Sequence, residues 1–258
     1  MAGMPRSVVI TGAADGIGRG MASHFVQLGD QVALLDYNSE KLSRTTGELA
    51  DAGGTVLAIP CDVRVADEVE SAIAQAISAH GGLDVAVNNA AVYPNHAVVD
   101  MTEEEWDWVL DTNLKGAFLF MRAAARKMIS QGRGGKLCLI SSGAYRSARR
   151  GAAAYCASKA GLVLLAQTLA LELAEHRINV NVVSPGFIEV GLRPGVSIPY
   201  REKIVQDVPL GHFGDPSDIA NAVAYLCSPD ADFVTGSVLT VDGGSGAGRF
   251  HLPYSTTE

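Results

Sequence analysis

Tyr155 and Lys159, in the run Tyr155-Cys156-Ala157-Ser158-Lys159, can do acid–base chemistry if they share a helix. Four residues of spacing puts both side chains on one helical face. An ammonium beside a phenol favours the phenolate. Bringing a tyrosine from its usual value near 10 down to about 7 takes roughly 4 kcal/mol. Tyr–Lys pairs at this spacing also arise by chance in many helices, so the pair gains meaning only from its surroundings.

A second stretch, Thr11-Gly12-Ala13-Ala14-Asp15-Gly16-Ile17-Gly18, follows an apolar run and opens a helical pattern. Glycines allow a tight turn and let backbone approach a pyrophosphate. The helix N-terminus adds free N–H donors and a favourable dipole. Gly12, Asp15, Gly16, Ile17 and Gly18 are therefore candidate dinucleotide contacts, although the spacing is not GxGxxG. Asp36 ends the next apolar run, where an acidic side chain accepts hydrogen bonds from an adenosine ribose and repels a 2′-phosphate. Tyr37 and Asn38 follow it, with no Arg or Lys, and Asp15 adds a further negative charge. The expected cofactor is NAD rather than NADP. The competing reading of Asp36 is a cap on the following helix. A later run, Gly243-Gly244-Ser245-Gly246-Ala247-Gly248, imitates a phosphate loop, but no helical pattern follows it. It reads as a flexible exit from the last strand.

Seven short Val/Ile/Leu/Ala-rich runs would hold these residues: Ser7–Thr11, Gln31–Asp36, Thr55–Pro60, Asp84–Asn88, Lys136–Ser141, Asn179–Ser184 and Ser237–Val241. Nearly continuous apolar runs suit parallel strands covered on both faces. Amphipathic stretches lie between them, among them Gly16–Leu28, Asp67–His80 and Glu103–Gln131. Alternation of this kind predicts an α/β fold, a doubly wound, seven-stranded parallel sheet with helices on both faces. No linker splits the chain, so one domain over 1–258 is expected, with a cofactor half to about residue 150 and a catalytic and substrate half after it. The Pro- and Gly-rich stretch 186–215 reads as an irregular lid.

The motifs together resemble the short-chain dehydrogenase/reductase family over nearly the whole chain. Thr11 to Gly18 matches TGxxxGxG, and Tyr155 to Lys159 matches YxxxK. Asp62-Val63 matches the family's adenine-contacting pair. Asn88-Asn89-Ala90-Ala91 matches NNAG, with Ala in the last place. Asn113 falls at the family's helix asparagine. Ser142 lies thirteen residues before Tyr155, the usual spacing of the catalytic serine, and Pro185-Gly186 matches the turn beside the nicotinamide. The resemblance implies a Rossmann fold and hydride transfer between a nicotinamide and an alcohol or ketone carbon. It implies Tyr155 as general acid/base, Ser142 as the donor that polarises the substrate oxygen, and Lys159 as the residue that lowers the tyrosine pKa and holds the nicotinamide ribose. Asn113 would anchor a relay water. Asn89, Ala90, Pro185, Gly186 and Ile188 would join Asp62 and Val63 around the cofactor. Val190 departs from the pattern, since a Thr often stands there.

Composition narrows the alternatives. Net charge is −8 over 258 residues, without a basic cluster, which argues against nucleic acid as a partner. Cys61, Cys138, Cys156 and Cys227 form no CxxC pair and no metal-ligand spacing with His. No metal is expected, and a reducing, cytoplasmic setting is. The apolar run 160–174 is interrupted by Gln167, Thr168 and Glu172, so no membrane span is expected. Arg146, Arg149 and Arg150 stand between Ser142 and Tyr155 with no acidic residue, and Arg193 and Arg201 stand in the lid. They read either as a solvated basic surface or as guanidinium groups lining a cleft for a small polar substrate such as a sugar, polyol or hydroxy acid. Ser142, Arg146, Arg149, Tyr155 and Phe187 are the candidate substrate contacts. Cys156 reads as a packed small residue, and His96 and His212 as surface residues. The competing functions are an NADP-linked 3-oxoacyl-thioester reductase and a non-catalytic dinucleotide sensor. Helices 103–131 and 155–174 carry apolar residues on most sides, which predicts burial on most sides. The family resemblance implies that the two helices pair across a two-fold axis, giving a homotetramer, with a dimer as the second choice.

Overall fold

The apolar runs form seven strands: β1 Ser7–Thr11, β2 Gln31–Asp36, β3 Thr55–Pro60, β4 Val85–Asn88, β5 Gly135–Ile140, β6 Ile178–Pro185 and β7 Val238–Val241. In this computed structural model, residues 5–190 and 198–248 are described, the first three of the second stretch by backbone alone. Every strand pairing is parallel, in the order β3-β2-β1-β4-β5-β6-β7. The chain reverses direction across the sheet between β1 and β4. Carboxyl ends of the strands open a crevice there, the usual ligand position in such sheets.

Among the described residues, eight α-helices flank the sheet: α1 Gly16–Gln27, α2 Ser39–Asp51, α3 Ala66–His80, α4 Glu103–Leu110, α5 Gly116–Gln131, α6 Ala153–Leu173, α7 Ile198–Gln206 and α8 Pro216–Leu226. Alternate strand residues feed two cores. Val9, Ala86, Leu139 and Val182 pack with Phe120 of α5 and Leu162 of α6. Ile10, Val87, Ile140 and Val183 pack with Phe25 of α1 and Ile219 of α8. Each fully buried Leu, Ile or Phe contributes about 1.5–3 kcal/mol, so the scaffold under the crevice is firm.

Three elements differ from expectation. The pattern 103–131 is not one regular helix, because a π-helical turn, Asp111–Lys115, separates α4 from α5. One extra residue in a turn re-aims the side chains around it, a device common at functional sites, and Asn113 lies inside it. The stretch 186–215 is not irregular throughout. It contains α7, because Pro199 falls in a first turn, where its missing N–H breaks no bond. Finally, α6 with its continuation, Ala153–His176, is long and apolar enough to cross a membrane by length and hydropathy. Leu162, Val163, Ala166, Ala170 and Leu173 face the core, while Leu164 and Leu171 on the other side are exposed. Residues 243–248 form successive turns off β7, and no helix follows among the described residues.

Candidate active site

The glycine turn closes on itself. Gly12 holds φ +63°, and a Cβ there would stand 2.8 Å from Ala90 Cα. A Cβ on Gly18 would stand 2.0 Å from the Gly12 carbonyl oxygen. No side chain fits at either place, so the turn keeps backbone exposed above α1. Asp15 caps α1 and accepts from Gly16 N at 2.8 Å. Ile17 and Gly18 follow in the first turn, where N–H groups lack helical partners. This cradle suits a pyrophosphate.

Neighbouring loops are tied to the cradle. Thr11 Oγ1 accepts from Asn89 N at 3.0 Å and from Ala90 N at 3.1 Å, and Asn89 Nδ2 donates to the Thr11 and Gly12 carbonyls. Val190 lies against Gly16, 3.5 Å from its ideal Cβ position. Asp36 is oriented by two backbone donors, Ala14 N at 3.2 Å and Asn38 N at 2.9 Å. The cap of α2 is Asn38 rather than Asp36. Asp15 is less of a free negative charge than the sequence implies. Lys41 bonds it at 2.9 Å and holds its carboxyl below the usual range, and Arg44 lies close enough to add to the effect. Asp62 is likewise bonded by Arg64, and Val63 packs on the start of α5 at Gly116.

Tyr155 and Lys159 stand in the first turns of α6, with Lys159 Nζ 5.6 Å from the tyrosine ring centroid. Lys159 is 2% exposed and donates to the Ile140 carbonyl at 2.9 Å. Burial pushes its pKa down to about 8. Tyr155 is not depressed as the pair alone predicts. Burial raises its pKa, while the hydrogen bond from Ser142 and the Arg149 charge pull the other way. Desolvation outweighs the Ser142 hydrogen bond and the Arg149 charge because burial strips water from the phenolate. Ser142 Oγ also accepts from Ala144 N at 3.3 Å, capping the 3₁₀ turn Gly143–Tyr145. Asn113 is fully buried and joins the loop after β4 to α6. Its Oδ1 accepts from Val92 N at 2.8 Å, and its Nδ2 donates to the Val92 carbonyl at 2.9 Å and to Ser158 Oγ at 3.2 Å. Both amide protons are therefore committed to protein, and the side chain fixes the loop after β4 to the start of α6.

The remaining candidates separate. Arg149 lies 5.8 Å over the Tyr93 ring, and Tyr93 lies 5.5 Å from the Tyr155 ring. Arg146 instead turns to the C-terminal segment and donates to the Gly246 carbonyl at 2.7 Å. Arg201 pairs with Glu189 and stacks over Phe213, and Arg193 lies outside the described residues. Phe187 and Ile188 line a cavity of about 280 Å³ with Leu210, Asp218 and Asp242, whose walls include neither Ser142 nor Tyr155. His96 pairs with Glu105 at 2.7 Å, His212 meets the Phe213 carbonyl, and Cys156 is a free, half-buried thiol. Pro185 ends β6, and Gly186 N donates to the Val241 carbonyl. Thr11, Tyr93, Ser158 and Asp242 were not among the expected residues. Their roles are contacts between distant segments, and no spacing signals those.

Comparison with known proteins agrees with this geometry. A family profile described as enoyl-(acyl carrier protein) reductase matches residues 12–246. A 3-oxoacyl-[acyl-carrier-protein] reductase of Staphylococcus aureus is 39% identical over 242 residues, 93% of this chain and 98% of that one. An L-rhamnose 1-dehydrogenase (NAD(P)(+)) of Azotobacter vinelandii is 38% identical over 248 residues, 93% of this chain and 96% of that one. The structure of a short-chain type dehydrogenase/reductase from Mycobacterium marinum superposes with a TM-score of 0.87 at 36% identity, over 95% of this chain and 96% of that one. The glycine cradle, the Ser142–Tyr155–Lys159 cluster and the parallel sheet beneath them thus place this chain in the short-chain dehydrogenase/reductase family of oxidoreductases.

Proposed function

We propose that this enzyme is an NAD-dependent dehydrogenase of a secondary alcohol in a small polar substrate. One observation carries the cofactor reading. Asp36 stands at the end of β2 with its carboxylate aimed by Ala14 N and Asn38 N, so it meets a ribose diol with free lone pairs and a 2′-phosphate with repulsion. NAD, when bound, supplies the hydride acceptor. The chain's own part is to orient and to move a proton. Ser142 donates a hydrogen bond to the substrate oxygen. Tyr155, as tyrosinate, takes the hydroxyl proton and becomes the neutral phenol, and the Lys159 ammonium stabilises the tyrosinate that has to be present beforehand. A non-catalytic dinucleotide sensor needs none of these three.

Arg149 supports the polar substrate. It is exposed, held by Tyr93 and within electrostatic reach of the Tyr155 hydroxyl. Guanidinium there binds a carboxylate by paired hydrogen bonds, or sugar hydroxyls by single ones. The second reading is an NADP-linked 3-oxoacyl-thioester reductase. It is favoured by the Staphylococcus relative and by Lys41 and Arg44, which offset Asp15 at the ribose corner. The deciding experiment is turnover with both dinucleotides across a panel of sugars, polyols, hydroxy acids and 3-oxoacyl thioesters. NAD reduction on a polyhydroxy or hydroxy-acid substrate is expected, with kcat/KM far above that for NADP and the gap narrowed by Asp36→Ala. Comparable use of NADP, or thioester reduction alone, rejects the reading.

The assembly we propose is a homotetramer. Phe118 on α5 and Leu164 and Leu171 on α6 are exposed, and so are Tyr225 and Phe233 near β7. Two separate apolar faces let one chain pair twice, as dihedral symmetry requires. Light scattering at micromolar concentration tests it, and a monomer refutes it. Four unpaired thiols, three of them buried, suit a reducing compartment such as the cytoplasm.

A further inference from the structure

Arg146 ends the 3₁₀ turn that begins after Ser142. Its neighbours mark it as a cation for substrate, yet its guanidinium is already engaged. Nη2 donates to the Gly246 carbonyl at 2.7 Å, 100 residues away in sequence, and lies 3.9 Å from Asp242 Oδ2. Asp242 is nearly buried, with its side chain 10% exposed. Its Oδ1 accepts from Gly244 N at 2.9 Å and its Oδ2 from Gly246 N at 2.8 Å. A Cβ on Gly246 would stand 2.3 Å from Arg146 Nη2. The Pro185-Gly186 turn closes on the same carboxylate residue: a Cβ on Gly186 would stand 2.6 Å from Asp242 Cα. Three segments distant in sequence therefore meet at Asp242.

A three-residue 3₁₀ turn does not hold itself in place. Its own cap, Ala144 N to Ser142 Oγ, is long at 3.3 Å. A reacting hydroxyl has to be fixed to within about 0.5 Å, which requires an outside anchor. We propose that Arg146 is a positioning residue: with Asp242 and Gly246 it latches the Ser142 loop to the C-terminal glycine turn, and so sets where the Ser142 hydroxyl stands relative to Tyr155. This rests on the Ser142 and Tyr155 assignment above. It removes Arg146 from the substrate contacts and gives the imitation phosphate loop a task.

The test compares Arg146→Ala, Arg146→Lys and Asp242→Asn with Ser142→Ala in the full chain. Readouts are melting temperature, NADH affinity by fluorescence, and kcat and KM across pH on the best alcohol. The groups facing Tyr155 are Ser142 and Arg149 from the loop after β5, Tyr93 from the loop after β4, and Cys156 and Lys159 on α6. Loosening Ser142 removes one of the influences that hold the tyrosine pKa down. Arg146→Ala is therefore expected to lower kcat by about tenfold to a hundredfold. NADH affinity should stay, and the acid limb of the kcat/KM profile should move up toward that of Ser142→Ala. Arg146→Lys keeps a donor and should recover part of the rate. Adding Arg146→Ala to Ser142→Ala should cost little more. If Arg146→Ala does not fold, Arg146→Lys and Asp242→Asn carry the same comparison. A salt-sensitive rise in KM at unchanged kcat would make Arg146 a substrate contact and overturn the latch. A lower melting temperature with an unchanged pH profile would also overturn it. Normal turnover by Ser142→Ala overturns the serine assignment itself, and the latch with it. An impaired Ser142→Ala beside a normal Arg146→Ala overturns the latch alone.

Discussion

Replacing Lys159 by Met should change how stability depends on pH, in a direction the structure fixes. The ammonium is 2% exposed, its one described acceptor is the Ile140 carbonyl, and burial is the only cause acting on its pKa. The native state therefore releases this proton at about 8, and the unfolded chain at about 10.4. Below both values the lysine is charged in both states, and the native state bears the full cost of the buried charge. Between them the unfolded chain binds more protons, so stability rises with pH. From about pH 7.5 to about pH 9.5 the relief is about 2 kcal/mol. The Met variant lacks that rise. Its stability relative to the parent should fall by the same amount across the window, roughly 4–8 °C in melting temperature for a chain of this size. The assay is paired thermal melts of dinucleotide-free protein at matched ionic strength. A difference that stays constant or widens with pH would refute the reasoning. The variant should also be inactive, because the charge that is costly to bury is the one that stabilises tyrosinate.

Three further outcomes are expected. Tyr155→Phe should keep dinucleotide affinity while kcat falls by about a hundredfold or more, and near-normal turnover would reject Tyr155 as the proton acceptor. Gly18→Ala places a methyl 2.0 Å from the Gly12 carbonyl oxygen. The turn has to open, at a cost of about 1–3 kcal/mol, which titration should read as weaker NADH binding; unchanged affinity would show that the cradle does not hold the pyrophosphate. Arg149→Ala should raise KM for the best panel substrate, with an effect that shrinks at high salt if the substrate is an anion. An unchanged KM removes Arg149 from the cleft.

The sheet was legible because parallel strands buried on both faces have to be apolar throughout. Runs such as Ser7–Thr11 and Gln31–Asp36 announce themselves and end where strands β1 and β2 end. The glycine turn was legible for a similar reason: Gly18 meets the Gly12 carbonyl so closely that no other residue fits. Tyr155 and Lys159 were legible as a pair because helical periodicity alone sets them on one face. The pair's chemistry was not. Whether the tyrosine pKa falls depends on how much water is excluded around it, and burial by surrounding loops raises it. The lid concealed α7 because Pro and Gly density signals breaks without saying where they end.

What the sequence determined by itself is local in origin: periodicities of two and 3.6, glycines where backbone crowds, and a Tyr–Lys spacing that survives any packing of its helix. What only the tertiary structure decided are meetings across the chain. Arg146 and Arg149 have the same charge, the same loop and only two residues between them. One turns to Asp242 and Gly246, and the other lies on Tyr93 beside Tyr155. Asp15 likewise loses its free charge to Lys41, 26 residues along. Partner choice of this kind depends on distances between segments, and those exist only once the sheet has folded.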